Sequence, residues 1–227
     1  WSKDVEYRYG GSDSKSINGA GRLLKVIDGS GETEYEYGKL GEVVRKKRVI
    51  KRLKALQEDE EAEFKYVNDY LGRMQKITYP DGEEIEYEYD RGGQVKKVTG
   101  TYYGEETVYV EDIAYDEYGQ RKYIKYGNGV VTEYTYDENR RWLSSIHTEK
   151  EGGFVYQDIK YSFDGVGNVL GYSNKASWYE TSQSYEYDSL YQLIGVTGSS
   201  TDRESGVERY RATYSQSFAY DEIGNMV

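Results

Sequence analysis

The chain has 227 residues, among them 28 Tyr but only 1 His, 1 Pro and no Cys. That set cannot supply a disulfide framework, a Cys-based redox centre or a multi-His zinc site. A net charge of −11 opposes sequence-independent binding to nucleic acid or anionic membrane, and no apolar run approaches the roughly 18 residues of a membrane-spanning helix.

One element recurs along the chain. In order it reads Asn18-Gly19-Ala20-Gly21-Arg22-Leu23, Tyr37-Gly38-Lys39-Leu40-Gly41-Glu42-Val43, Asp69-Tyr70-Leu71-Gly72-Arg73-Met74 and Tyr89-Asp90-Arg91-Gly92-Gly93-Gln94-Val95. It continues with Tyr115-Asp116-Glu117-Tyr118-Gly119-Gln120-Arg121, Tyr136-Asp137, Phe163-Asp164-Gly165-Val166-Gly167-Asn168-Val169, Tyr187-Asp188 and Tyr220-Asp221-Glu222-Ile223-Gly224-Asn225-Met226. An aromatic pair two apart leads in: Tyr35/Tyr37, Phe64/Tyr66, Tyr87/Tyr89, Tyr134/Tyr136, Tyr161/Phe163, Tyr185/Tyr187 and Phe218/Tyr220. Period two puts both rings on one strand face, with Glu36, Lys65, Glu88, Thr135, Ser162, Glu186 and Ala219 on the other. Asp then opens a turn by accepting from the N–H two residues on, and the glycine three places later adopts positive φ. Asp-x-x-Gly therefore predicts a type I turn closed by a bulge, and each unit predicts a hairpin.

Taking the Asp position as anchor gives 18, 38, 69, 90, 116, 137, 164, 188 and 221, so that short and long intervals alternate. We expect uniform Asp-Gly turns on one edge of a strip of antiparallel strands. The other edge is expected to alternate tight turns (Asp28-Gly29-Ser30-Gly31, Pro80-Asp81-Gly82, Gly127-Asn128-Gly129) with looser stretches. Those are Gly100-Thr101-Tyr102-Tyr103-Gly104, Lys150-Glu151-Gly152-Gly153 and Gly198 to Gly206. Arg140 and Tyr191 stand where a turn glycine is due, which predicts a different turn type at both. Apolar pairs three apart (Leu23/Val26, Met74/Ile77, Val95/Val98, Leu143/Ile146, Leu193/Val196) require either a bulge or cover on both faces.

These units resemble the Rhs/YD-repeat family, whose repeat reads Tyr-x-Tyr-Asp-x-x-Gly-Arg-Leu, over nearly the whole chain from Tyr7 to Val227. Tyr115 to Asp137, Phe163 to Asn168 and Tyr185 to Gly198 are similar to the B and C subunits of bacterial toxin complexes. They are also similar to large Rhs and wall-associated toxins, and teneurins are more distant. The resemblance implies one long β-sheet spiralling into a hollow shell around a toxic C-terminal polypeptide. Many members carry an aspartyl-protease segment with an Asp-Pro-x-Gly core. Here the one proline, Pro80, follows Tyr79, so no protease residues carry over.

Other patterns have plainer readings. Arg45-Lys46-Lys47-Arg48-Val49-Ile50-Lys51-Arg52-Leu53-Lys54 is basic enough for a polyanion patch, but reads better as strand then loop, paired with the acidic run Glu58-Asp59-Glu60-Glu61. Gly165-x-Gly167-x-x-x-Gly171 has the wrong spacing for a dinucleotide fingerprint, and Ser12-x-x-Lys15 lacks the companions of a serine acylase. Glu83-Glu84 and Glu105-Glu106 supply paired carboxylates without evidence of a cleft. His147 is expected as an exposed strand-end residue. The tyrosines read as a cross-strand ladder before they read as sugar-stacking platforms.

The expectation is an all-β fold: a repetitive antiparallel β-hairpin strip curling into a spiral shell or barrel-like arc, with a β-propeller as the rival because two units total about 50 residues. Residues 1–227 form a single YD/Rhs-repeat region of about nine units. The start at Trp1 and the end at Val227 suggest a piece of a longer protein. The expected function is a non-catalytic structural segment of a secreted or surface bacterial protein, encapsulating a C-terminal toxin of the same or an associated chain. No catalytic, cofactor or metal residue is expected. A carbohydrate- or receptor-binding module is the alternative, with cell-surface glycans as partner.

Overall fold

The computed structural model describes residues 4–12, 18–51, 59–204 and 207–227. The chain divides into two compact units, Trp1–Tyr109 and Val110–Val227. The first holds β1 (Glu6–Tyr9), β2 (Leu23–Asp28), β3 (Gly31–Tyr37), β4 (Val43–Ile50), β5 (Glu60–Asn68), β6 (Met74–Thr78), β7 (Glu84–Tyr89), β8 (Val95–Tyr102) and the start of β9 (Glu105–Tyr115). The second holds the rest of β9, then β10 (Arg121–Tyr126), β11 (Val130–Tyr136), β12 (Leu143–Lys150), β13 (Phe154–Phe163), β14 (Val169–Lys175), β15 (Tyr179–Tyr187), β16 (Leu193–Glu204) and β17 (Val207–Ser217).

Within each unit every strand pairs antiparallel with the next in sequence, through β8 in the first and from β9 to β17 in the second. This excludes the propeller. Blades of four strands pack face to face, whereas here β4 bonds to β5 and β12 to β13 without a break in the ladder.

The turn chemistry is as the sequence predicts. At Asp90 the N–H donates to Gln94 O (2.8 Å), Gly93 N–H donates to Asp90 O (3.1 Å), and the carboxylate accepts from Gln94 N–H (2.8 Å). Gly93 has φ +83°, the conformation an L side chain resists. A bulge follows, because Tyr89 faces Val95 while Glu88 faces Lys97, so Lys96 is the extra residue. The same shift recurs opposite Leu23, Met74, Leu143 and Leu193. It brings the apolar pairs three apart onto one face, so the bulge is the correct reading of that pattern.

These turns join β3 to β4, β5 to β6, β7 to β8 and so on, always an odd strand to an even one, so in each unit they share one edge. The other edge departs from expectation. Tyr103-Gly104 is a two-residue connection, and Gly152 and Gly153 close a short turn. The long intervals are filled by longer strands: β8 and β9 have 8 and 11 residues and β16 and β17 have 12 and 11, against 5 and 6 in β6 and β7. Residues 205 and 206 of the last stretch lie outside the described residues.

Three further details differ. Tyr191 keeps the standard turn, with its N–H on Asp188 O (3.1 Å) and φ +62°, so the change of turn type expected there does not occur. At Asp137 it does occur: Arg141, at φ +61°, donates to Asp137 O one residue later than usual. The first unit is anchored at Gly10 rather than Asn18, since Gly10 N–H donates to Arg22 O (2.9 Å) and Tyr9 faces Leu23. Similarly, Asn68 stands where the tyrosine before Asp69 is due, and Phe64/Tyr66 sits one strand period early.

Successive turns touch. Arg22 donates to Gly41 O (3.0 Å), and a Cβ on Gly41 would lie 2.3 Å from the Arg22 guanidinium. A Cβ on Gly167 would lie 2.9 Å from the Trp142 ring. The turn glycine thus also makes room for the turn before it.

Three turn carboxylates, Asp69, Asp164 and Asp221, are acidified. At Asp221 the Asn225 side chain, then Asn225 N–H, hold the carboxyl below its usual range despite some burial. At Asp69 burial is the largest influence and raises it, but the Arg73 N–H, Arg73 guanidinium and Leu71 N–H together outweigh burial. Glu63 and Glu84 are lowered by Arg45 and Lys76 respectively. A folded pKa below the unfolded one gives stability that is present above the unfolded value and lost as pH falls through the folded one. Melting temperature is therefore expected to hold from pH 7 to about 5 and to drop below about pH 4. A thermal melt series that stayed flat to pH 3 would contradict this.

Candidate functional site

The two faces of each strip differ in chemistry. In the first unit one face carries ion pairs: Lys25 to Glu32 (2.7 Å) and Glu34 (3.0 Å), Arg45 to Glu36 (2.7 Å) and Glu63 (2.6 Å), Lys47 to Glu61 (2.7 Å), and Lys76 to Glu84 (2.8 Å) and Glu86 (2.7 Å). The basic run is thereby explained. Arg45 and Lys47 pair with acids on β3 and β5, while Arg48 turns to the other face and donates to Asp28 (3.2 Å) and Thr33 (3.0 Å). The Arg48 guanidinium, the Ser30 hydroxyl and then Ser30 N–H hold the Asp28 carboxyl far below the usual range. Val43–Ile50 is a strand, as expected; Arg52, Leu53, Lys54 and Glu58 lie outside the described residues, as does Lys15 of Ser12-x-x-Lys15.

The opposite face is aromatic. Direct cross-strand pairing puts Tyr35, Phe64 and Lys46 together, then Tyr66, Ile77, Ile85 and Gly100, then Tyr87 and Val98. In the second unit it joins Ile113, Ile124 and Thr132; Tyr134, Ile146 and Ile159; Tyr161 and Tyr172; and Tyr185 and Val196. The intervening Glu36, Lys65, Glu88, Thr135, Ser162 and Glu186 are exposed.

No second layer covers the aromatic face within either unit. Among the described residues only Ile77, Ile85, Ile124, Ala176 and Val196 are buried apolar side chains, and no large side chain is fully buried. The accessible surface is 15746 Å², against about 10,600 Å² for a compact globule of this mass.

One function of the tyrosines depends on three dimensions. At the Asp-Gly edge the ladder between an even strand and the next odd one stops short, and a hydroxyl bridges the gap. Tyr37 donates to Leu23 O (2.7 Å), Tyr89 to Met74 O (2.5 Å), Tyr136 to Arg121 O (2.9 Å), Tyr187 to Val169 O (2.9 Å) and Tyr220 to Leu193 O (2.9 Å). Each of these five tyrosines, four of them in a Tyr-Asp pair, thus ties its unit to the preceding one. Phenylalanine cannot donate this bond, and Phe163 instead packs on Trp142 at 5.2 Å.

In the second unit the aromatic face holds a hollow of about 780 Å³ lined by Tyr161, Tyr172, Tyr179, Tyr185, Asn174 and Gln157 among others, none of them charged. Asn174 is 6% exposed and accepts from Asp158 N–H (2.8 Å).

The remaining candidates do not assemble a reaction centre. Glu83 and Glu105 share a shallow hollow with Asp81, but Glu84 is held by Lys76, and Glu106 lies outside it. Gly165, Gly167 and Gly171 belong to a hairpin turn and to β14, with no crossover helix. His147 is not at a strand end. It sits within β12, 34% exposed, facing Glu133 and Asp158 across the ladder, with Glu149 Oε2 3.4 Å from its Nε2. Among the described residues no group of three or more His, Asp or Glu could hold a metal ion, and no helix is long and apolar enough to cross a membrane.

Tandem Tyr-Asp hairpins, tied unit to unit through the tyrosine hydroxyl, define a β-strip repeat protein. The chain belongs to the Rhs/YD-repeat family. It is 31% identical over 187 residues, 70% of its length, to the toxin subunit YenC2 of Yersinia entomophaga. Over 148 residues it is 32% identical to the toxin subunit YenC1 of the same organism. The chain spans 18% and 15% of those two relatives. Its fold matches the TcdB2–TccC3 complex with Cdc42 at a TM-score of 0.82 and 25% identity, over 98% of this chain and 12% of that one. The Photorhabdus luminescens Tc holotoxin pore matches at a TM-score of 0.81 and 25% identity, again over 98% of this chain and 12% of that one. No protein-family model matches.

Proposed function

We propose that residues 1–227 are one structural repeat region of a secreted bacterial toxin-complex subunit, whose strip walls off a polypeptide cargo and performs no catalysis. The carrying observation is the uneven pair of faces: one closed by ion pairs in the first unit, the other aromatic and uncovered in both. An apolar face of this extent needs a partner that stays out of bulk water, and a C-terminal toxin of the same or an associated chain supplies one. The likeness to YenC2 and YenC1 supports that setting. The test is limited proteolysis of the full-length subunit. The C-terminal polypeptide is expected to resist protease while the subunit is intact and to be cut once it is unfolded. Digestion at the rate of the free polypeptide would refute the reading.

The uncharged tyrosine-amide hollow on β13–β15 favours a second reading, a glycan-binding module. Glycan-array binding lost on Tyr161→Ala or Tyr185→Ala, with the cargo unprotected, would select it over the first.

A further inference from the structure

The aromatic hollow on β13–β15 contains a polar group that the fold leaves unused. Asn174 of β14 lies between Ile159 of β13 and Thr181 of β15, and is only 6% exposed. Asp158 N–H donates to its Oδ1 (2.8 Å). A backbone N–H can only donate, so this bond fixes which end of the amide is oxygen and leaves Nδ2 as the free end. Among the described residues no acceptor meets Nδ2, and the atom is not sealed from solvent. Asn174 shares its sheet face with Tyr172, two residues earlier, so the amide opens into the hollow that both line. A nearly buried donor without an acceptor is costly, which favours a ligand that supplies one.

A second amide stands diagonally from it. Gln157 is two residues before Ile159 on the same face of β13, and its Nε2 donates to Thr148 Oγ1 (2.9 Å), leaving Oε1 to accept. Diagonal neighbours on a sheet face lie about 7–8 Å apart. That spacing holds one amide group between two hydrogen bonds of about 2.9 Å, its C=O toward Asn174 and its N–H toward Gln157. The hydroxyls of Tyr161, Tyr172 and Tyr179 have no partner among the described residues, whereas that of Tyr187 donates to Val169 O. Free hydroxyls beside apolar ring faces, with no charged side chain in the lining, suit a neutral polyhydroxylated ligand. A peptide strand, by contrast, joins a sheet through its edge rather than its face.

We propose that this hollow is a subsite for an N-acetylhexosamine. The acetamido carbonyl accepts from Asn174 Nδ2, the acetamido N–H donates to Gln157 Oε1, and the sugar ring lies on the tyrosines. This rests on the glycan-binding reading of the same hollow and adds the class of sugar. A hexose with a hydroxyl in place of the acetamido group is too short to reach both amides.

Isothermal titration calorimetry of the 227-residue chain with tri-N-acetylchitotriose and with cellotriose tests the proposal. The two trimers share their linkage and differ in acetamido against hydroxyl. The acetylated trimer is expected to bind about tenfold tighter. Asn174→Asp keeps an oxygen for Asp158 N–H and removes the donor, and is expected to abolish that preference while leaving cellotriose affinity unchanged. The wild-type comparison stands however well the variant folds. Equal affinities for the two trimers would overturn the amide pairing and leave the glycan reading intact. Binding of neither trimer would overturn both. Displacement of the acetylated trimer by an equal concentration of N-acetylasparagine amide would also overturn the proposal, because the two amides would then be recognising a peptide side chain.

Discussion

Gly31→Ala is expected to cost about 3–5 kcal/mol and to melt the first unit well before the wild-type protein. Gly31 opens β3 at φ +148° and faces Ile50 of β4. A Cβ there would stand 1.9 Å from the carbonyl oxygen of Val49. That atom is backbone within a ladder, so it cannot yield as the tip of a flexible side chain would. Relief requires the Glu32–Val49 and Thr33–Arg48 pairs to shift, and the latter carries the Arg48 bonds to Thr33 and Asp28. Gly171 repeats the situation in the second unit, with φ +159° and a Cβ position 2.3 Å from Gln183 O. Gly82 provides the contrast: its φ is +90° but nothing lies within 4 Å, so Gly82→Ala carries only the left-handed penalty of about 1–2 kcal/mol. Urea titration of the three variants separates clash from backbone preference. Equal losses for Gly31→Ala and Gly82→Ala would show the close approach to be unimportant.

Asp116→Ala is the second large effect, about 2–4 kcal/mol. Its side chain is only 6% exposed and accepts from the N–H groups of Tyr118 (2.9 Å) and Gln120 (2.9 Å). It also pairs with Arg141, two strands away. Arg141 is in turn held by Gln120 Oε1 (3.0 Å) and lies over the rings of Tyr118 (4.3 Å) and Tyr136 (5.8 Å). Alanine removes the acceptor from two backbone donors and leaves the guanidinium without its counter-charge, so two adjacent turns loosen together. Asp116→Asn keeps an oxygen for the N–H groups and loses the ion pair, and should fall between. Thermal melts giving Asp116→Ala the stability of wild type would refute this account.

The hairpin was legible from sequence because its determinants are local. Asp, Gly and the bulge lie within seven residues, and alternation fixes the faces. What failed was non-local or unsignalled. Residues 101–109 are polar and β-compatible, and the Tyr103-Gly104 turn is too short to announce itself, so a long hairpin read as a loop. Asn18-Gly19-Ala20-Gly21 has better turn chemistry than Gly10, yet Gly10 makes the anchoring bonds because β1 delivers it opposite Arg22. The tyrosine hydroxyl bridges were invisible because they join residues of different units whose register only the sheet defines. Tyr191 breaks the glycine rule because the Asp188 bonds around it offset the cost of positive φ, and residue type alone does not reveal those bonds. Among the site residues, the mid-strand place of His147 is hidden from sequence for a related reason. Its acidic neighbours Glu133 and Asp158 come from β11 and β13, 14 residues before it and 11 after.

Pairing each strand only with its sequence neighbours also governs how such a chain acquires its structure. Loop closure is never charged for more than one hairpin at a time, so mean contact separation is low for an all-β protein and assembly can proceed strand upon strand from any nucleus. A vectorially emerging chain can add each hairpin to an edge already formed, without waiting for its far end. Damage behaves the same way, in that disruption at one hairpin spreads chiefly to its immediate neighbours, as in other one-dimensional arrays.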